Sequence, residues 1–324
     1  MGHDTNGSDA SDAMGRGAGG HGRAQSGFEE LRRALAGQSF ASIEEAQAVL
    51  DRITYRKNHT PVDDFAGLSP EQMHRMLHFP FDSPRVAIFF ENLPSEASAP
   101  ILTLFHLLAE GIGDGLKPTA TGNLPRSLVQ SAALTYWGEE IHRERTRYGA
   151  IRTEPDFKDL HVTRIVAEIA GLVRKYKGKL IFSRKARKLL DRQGAAGVYP
   201  VLLRAYTGPF NWGYRDRYED LGIVQQSFLF SMYLVHRFGE DWREVTFYED
   251  AFVRAFPMAL NMIGPNPYTT PERYVGHCYA LRSLVNFLAF FGLVETEPAE
   301  KPLFDRIARV RKAALLDQVV TFPT

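Results

Sequence analysis

The 324-residue sequence contains a single cysteine, Cys278, which excludes a disulfide within the chain and fits a reducing compartment. Its neighbours are apolar and helical in pattern, so a buried, inert thiol is expected. Long hydrophobic runs are missing as well. The longest, Leu284 to Val294, is about half of the ~20 residues that a spanning helix needs, so it reads as a core helix and no membrane partner is expected. The first residues, MGHDTNGSDASDAMGRGAGG, lack the apolar centre of a secretory signal, and a cytoplasmic location is the expectation. An excess of one charge is absent too: 39 Lys and Arg stand against 38 Asp and Glu, a formal net charge of +1. That balance argues against a wholly basic nucleic-acid coat or a polybasic membrane binder, so any such function must come from local clustering. Catalytic signatures are lacking: there is no G-x-S-x-G, no dinucleotide fingerprint and no Cys/His metal grid. No cofactor and no resident metal are expected, and nothing recommends an enzyme.

What is present is ordinary globular composition, with 44% hydrophobic and 24% charged residues, enough to bury a real core. The 22 phenylalanines point to aromatic-rich cores or interfaces. The length suits two domains or one large one. Residues 1–27 are rich in Gly, Ser and Asp and too poor in apolar surface to offset ordering entropy, so a disordered tail is expected there. A helical region spans 28–95. Phe28, Leu31 and Leu35 have helical spacing, as do Ala46, Val49, Leu50 and Ile53 behind a Ser42/Glu45 capping box. Ser69, Pro70 and Gln72 mark another helix start, with Met73, Met76 and Leu77 inward, and Arg85–Phe90 is a candidate strand.

Residues 96–192 carry the most legible unit. Apolar helices are expected over 100–110, 126–137 and 159–170, the last with Val162, Ile165, Val166 and Ile169 inward. GLVRKYKGKLIFS then alternates around a Lys177-Gly178 turn, a hairpin pattern, and a basic helix follows over 184–192. Small residues at 193–197 suggest a flexible boundary. The remainder, 198–324, reads as helices over 198–206, 221–238, 247–262 and 271–291, with weak sheet signals at 292–297 and 315–322. GLVRKYKGK and GLVETEPAEK both follow an apolar helix, which hints at a second small unit like the first. The fold class expected is mainly α with small β elements, a winged-helix-like centre flanked by helical regions.

The stretch EIAGLVRKYKGKLIFSRKARKLL resembles the wing region of MarR-type and ArsR-type regulators. Gly171-Leu172, Lys177-Gly178-Lys179, Ser183 and Leu189-Leu190 occupy the places where those families end a helix, run a basic hairpin and restart a helix. Ala186 stands where they favour Gly. A second departure is that residues 139–157 separate the second and third helices, where a helix-turn-helix uses roughly 3–4. That gap, with the TATGNLP segment before it, resembles the C-terminal module of some plasmid-borne and transposon-passenger-like proteins. GLSPEQMHRML is similar to a recurring segment of uncharacterised bacterial proteins. The resemblance implies a winged helix, a fold that serves DNA binding and protein interaction alike.

Between residues 174 and 192 lie nine cations against the single acid Asp191. Arg174, Lys175, Lys177, Lys179, Arg184, Lys185, Arg187 and Lys188 are the candidate phosphate contacts, since such density can displace counterions from a nucleic-acid backbone. Arg164, expected on the exposed side of the third helix with His161 and Thr163, is the candidate for a base edge. DNA is therefore one candidate partner, and the alternative is a solvated or protein-binding face.

Trp212, Tyr214, Arg215 and Arg217, in GPFNWGYRDRYED, form the candidate surface for a protein partner or a second copy, because aromatics and Arg dominate hot spots. The alternative is that they pack the two halves together. His74 and His78, at i and i+4, could chelate a metal and carry a third, weaker reading, a metal-dependent enzyme, but they lack a clear third ligand. The Glu139–His142 step is the single instance of a motif that di-iron bundles need twice. Asp63, Asp64 and the TGNLP segment suit turns and caps.

Overall fold

A computed structural model describes residues 41–94, 97–299 and 307–323. The expected tail over 1–27 and the helical spacing of Phe28, Leu31 and Leu35 lie outside the described residues. Two compact units divide between Lys57 and Asn58. The described part of the first is residues 41–57, most of them in helix α1 (Ile43–His59), which buries none of its residues and ends two residues past the division. Ser42 Oγ accepts from the Glu45 N–H at 3.2 Å, the start that the sequence signals. Glu45 answers on Ala41 N rather than on Ser42 N.

The second unit, 58–324, is mainly α with small antiparallel sheets, and one hydrophobic core runs through it. Its first helix is α2 (Pro70–His78), opened by a complete Ser69/Gln72 capping box, with Met73 and Met76 in the core. Strand β1 (Ile88–Phe89) comes next, two residues out of the longer 85–90 candidate. Then comes a block of α3 (Pro100–Ile112), α4 (Arg126–Thr146) and α5 (Lys158–Ile169), followed by β2 (Val173–Tyr176), β3 (Lys179–Phe182) and α6 (Arg184–Gln193). Helix α4 runs past the expected end at 137. Its geometry breaks at Gly138 (φ 73°) and helical turns resume to Thr146, so residues 139–146 of the supposed long loop are helix. The flexible join expected at 193–197 is a 3-10 turn over Gly194–Val198 leading directly into α7 (Tyr199–Thr207). Val198 and Tyr199 are fully buried there, which leaves no free linker.

A second block repeats the order of the first. Helix α8 (Gly222–Gln226) precedes α9 (Phe228–Phe238), and then come β4 (Arg243–Glu244), α10 (Val245–Ala255) and α11 (Pro271–Tyr279). The last of these continues as a π-helix over Ala280–Ala289, and β5 (Val294–Pro298) and β6 (Ile307–Lys312) close the block. In this block β4 pairs with β6, and β6 with β5. In the first block Leu116 bridges Leu180 of β3, and β3 pairs with β2. Each block thus reads helix, short extended segment, helix, helix, hairpin, with the short segment on the second hairpin strand.

The two long helices also end alike. Leu172 N–H reaches back to Ala167 O and Gly171 N–H to Glu168 O; Leu293 N–H reaches Leu288 O and Gly292 N–H reaches Ala289 O. Gly171 and Gly292 sit at φ 69° and 71°, left-handed backbone that favours glycine at this place in a helix terminus. The Gly-Leu repeat in the sequence is this device used twice.

Apolar spacing explains the core. Ile101, Leu104, Phe105 and Leu108 of α3 face Leu160, Val162 and Val166 of α5 and Leu172 and Leu180 of the hairpin. Phe228, Phe252, Phe287 and Phe291 fill the second block. The closing helix α12 (Ala314–Val319) occupies sequence that carried a weak sheet signal. It hands on to β7 (Val320–Thr321), which pairs with β1.

Candidate nucleic-acid interface

Strands β2 and β3 join through Lys177 and Gly178, both at positive φ, in the two-residue turn that the sequence predicts. Their pattern is one-sided. Val173, Leu180 and Phe182 point into the core, and Arg174, Lys175, Lys177 and Lys179 are exposed. Helix α6 starts at Ser183, whose Oγ accepts from the Ala186 N–H at 3.1 Å. Ala186 is buried and Leu189 and Leu190 half-buried, which leaves Arg184, Lys185, Arg187, Lys188 and Arg192 outward. Hairpin and helix thereby present nine exposed cations, and among the described residues none has a carboxylate partner. Tyr176, at the turn, is half-exposed, with the Arg174 guanidinium 5.3 Å and the Lys177 ammonium 5.5 Å from its ring centroid.

Arg164 does not lie where the sequence reading put it. The polar face of helix α5 is enclosed: His161, Thr163 and Arg164, expected outside, are buried, whereas Ile169, expected inside, is 41% exposed. Arg164 is 6% exposed; its Nε donates to Glu154 Oε1 at 2.5 Å and its Nη1 to Glu168 at 2.7 Å. Glu154 was not foreseen, yet it is the centre of this cluster. It is fully buried and also accepts from the Leu124 N–H at 2.6 Å. Burial alone would raise its pKa, but the hydrogen bonds from His161, Arg164 and Leu124 outweigh that and hold it below the usual carboxylate value. His161 bridges from Glu154 to the loop beyond α7, with Nδ1 2.8 Å from the Glu154 carboxylate and Nε2 2.8 Å from the Tyr214 hydroxyl. An arginine held in this way cannot reach a base edge.

The 208–220 loop divides between both of its expected roles. Trp212 is 1% exposed and packs on Tyr206 and Phe287, its indole N–H donating to Tyr206 O at 2.9 Å. Arg215 links the blocks: Nη2 donates to Asp159 of α5 at 2.5 Å and Nη1 to the Asn286 carbonyl at 2.9 Å. These two side chains pack the halves together. Tyr214, 58% exposed, and Arg217, exposed, keep a surface. Behind them Asp216 and Arg282 form a buried two-pronged ion pair, both bonds 2.8 Å. The sequence signals for this cluster were thin; Thr153 and Asp156 around a 3-10 turn mark only the local geometry that holds Glu154.

His74 and His78 are neighbours on α2, ring centroids 4.5 Å apart, and exposed. Among the described residues no group of three or more His, Cys, Asp or Glu is placed to hold a metal ion. No helix among them is long and apolar enough to cross a membrane.

A family model described as Y4jL N-terminal domain matches residues 97–195. The matched span begins just before α3 and ends just after α6, so the likeness covers the first block with its basic hairpin and helix. No curated protein and no solved structure matches the chain.

Proposed function

We propose that the first block is a winged-helix unit and that its hairpin and α6 hold nucleic acid by the phosphate backbone, making the protein a nucleic-acid-associated regulatory or accessory factor. One observation carries this reading: nine exposed cations, without a carboxylate partner among the described residues, on one hairpin and the helix that follows it. A solvated structural face is ordinarily laced with acids, and this one has only Asp191 within it. The short-segment pairing of Leu116 with Leu180 and the β2–β3 hairpin supply the wing and its sheet.

The enclosure of α5 sets the kind of binding. With His161, Thr163 and Arg164 buried, α5 offers a major groove none of the side chains expected to read it, so base readout through them is lost. Phosphate contacts position a protein without carrying sequence, so low sequence discrimination and strong salt dependence are the consequence. The same enclosure favours a second reading, in which the unit is a protein-interaction module and the basic face meets an acidic partner.

Titration with labelled duplex DNA at several salt concentrations separates the two. Wild type is compared with a K177A/K179A/R184A/K185A variant. Under the first reading log affinity falls linearly with log salt, and the variant's slope is shallower by up to ~0.9 per lost contact. Absence of binding at low salt removes the nucleic-acid reading and leaves the partner module.

A further inference from the structure

A cleft of 370 Å³ lies where the C-terminal end of α6 meets the first turns of α7 and the chain just after β1. Its walls come from segments far apart in sequence, so it is a product of the fold. One wall is aromatic: Phe81, Phe89 and Phe90. The Phe81 ring lies 4.7 Å from that of Phe89, and the Arg204 guanidinium sits 4.2 Å above it. The opposite wall is Leu189, Arg192 and Gln193 of α6. Gln193 is pinned by Asn92, its amide donating to Asn92 Oδ1 at 2.6 Å. Pro200 and Leu203 complete an apolar floor.

The charges are unbalanced. Arg192 and Arg204 both line the cleft and neither has a carboxylate partner among the described residues, although Glu91 lies on the same rim. Two guanidiniums and one carboxylate leave one positive charge beside a cluster of phenylalanine rings. A guanidinium fork matches a carboxylate with two parallel hydrogen bonds, and desolvation beside apolar walls strengthens them. The volume is near the lower end of the roughly 300–1,000 Å³ range of small-molecule sites, which suits one or two rings.

We propose that this cleft binds a small planar aromatic monocarboxylate, its ring against Phe81 and Phe89 and its carboxylate on Arg204 and Arg192. The cleft shares Arg192 with the basic face but does not rest on the nucleic-acid reading, and it is tested without any nucleic acid. The probe is 2-naphthoate, titrated calorimetrically against the full chain, with the neutral 2-naphthalenemethanol beside it. Wild type is expected to bind 2-naphthoate saturably at one site and the alcohol at least tenfold more weakly. Arg204→Gln, a substitution at an exposed position, is expected to cost about tenfold in affinity, the order of a hydrogen bond to a charged group. Glu91→Gln is expected to tighten binding severalfold by removing the opposing charge. Circular dichroism of each variant confirms that it is folded. Absence of saturable binding to wild type at millimolar 2-naphthoate overturns the proposal, as does equal affinity for the neutral alcohol or for folded Arg204→Gln.

Discussion

The Arg215 guanidinium donates to the main-chain carbonyl of Asn286 at 2.9 Å, and the Tyr206 hydroxyl donates to that same oxygen at 2.5 Å. The π-helix explains why the oxygen is free. Phe290 N–H bonds back five residues to Val285, whereas Phe291 N–H bonds back four to Phe287. The switch in ladder steps over Asn286 and orphans its carbonyl, a buried acceptor that must find donors elsewhere. The loop between the two blocks supplies one of them, and Arg215 then spans to Asp159 on α5.

Arg215→Met is therefore expected to lower stability by about 2–3 kcal/mol, because it strips one donor from Asn286 and the partner from Asp159. Urea unfolding checks this. A loss within experimental error would mean that the blocks are held by apolar packing alone.

The Asp216–Arg282 pair gives a sharper test. Both side chains are nearly inaccessible, 3% and 4% exposed, so removing either one strands a buried charge. Arg282→Met alone is expected to cost about 3–5 kcal/mol, and the double variant with Asp216→Leu to recover a large part of it. Additive losses in the double-mutant cycle would show that the pair is not coupled.

Acid sensitivity is expected from Glu154. Its folded pKa lies below the 4.5 of the free side chain, so its contribution is fully present above that value. That contribution disappears as pH falls through the folded value. The urea midpoint of wild type should thus decline below pH 4.5, and Glu154→Gln should flatten this limb while lowering stability at neutral pH. An unchanged acid limb in the variant would assign the decline to other carboxylates.

Cys278 should be silent to thiol reagents in the folded protein. It is fully buried, and burial pushes its thiol pKa up to about 12. Modification by a disulfide reagent at pH near 8 is expected to proceed at the rate of unfolding and to become immediate in denaturant. Rapid stoichiometric labelling of native protein would contradict that burial.

What could be read from the sequence was local. The Ser69/Gln72 box, the Lys177-Gly178 turn and the Ser183 start of α6 each depend on residues a few positions apart, and all three formed as read. The repeated Gly-Leu after an apolar helix hinted at a second unit like the first, and in both places an antiparallel strand pair follows it. Helix α5 shows the limit of that logic. His161, Thr163 and Arg164 are polar, and polarity in a periodic helix points outward unless a partner is known to come from elsewhere. Here Glu154 arrives from the turn before the helix, and Tyr214 and Arg215 from beyond α7. No periodicity signals such a contact. The π-helix was equally hidden, since its apolar residues read as an ordinary core helix; only the changed ladder reveals it.

The pairing of β1 with β7 has a consequence for how the chain reaches its native state. Ile88 meets Thr321 and Phe89 meets Val320, so a segment made early waits for one made much later. During synthesis the first block can form its own hairpin while the rest is still emerging. Residues 88–90 stay without their strand partner until β7, which follows α12, has left the ribosome tunnel. Closing so long a loop costs chain entropy before any contact rewards it, which places this two-strand clasp late on the folding path. It also makes the exposed edge of β1, with Phe89 and Phe90, the stretch most open to chaperone capture in a nascent chain.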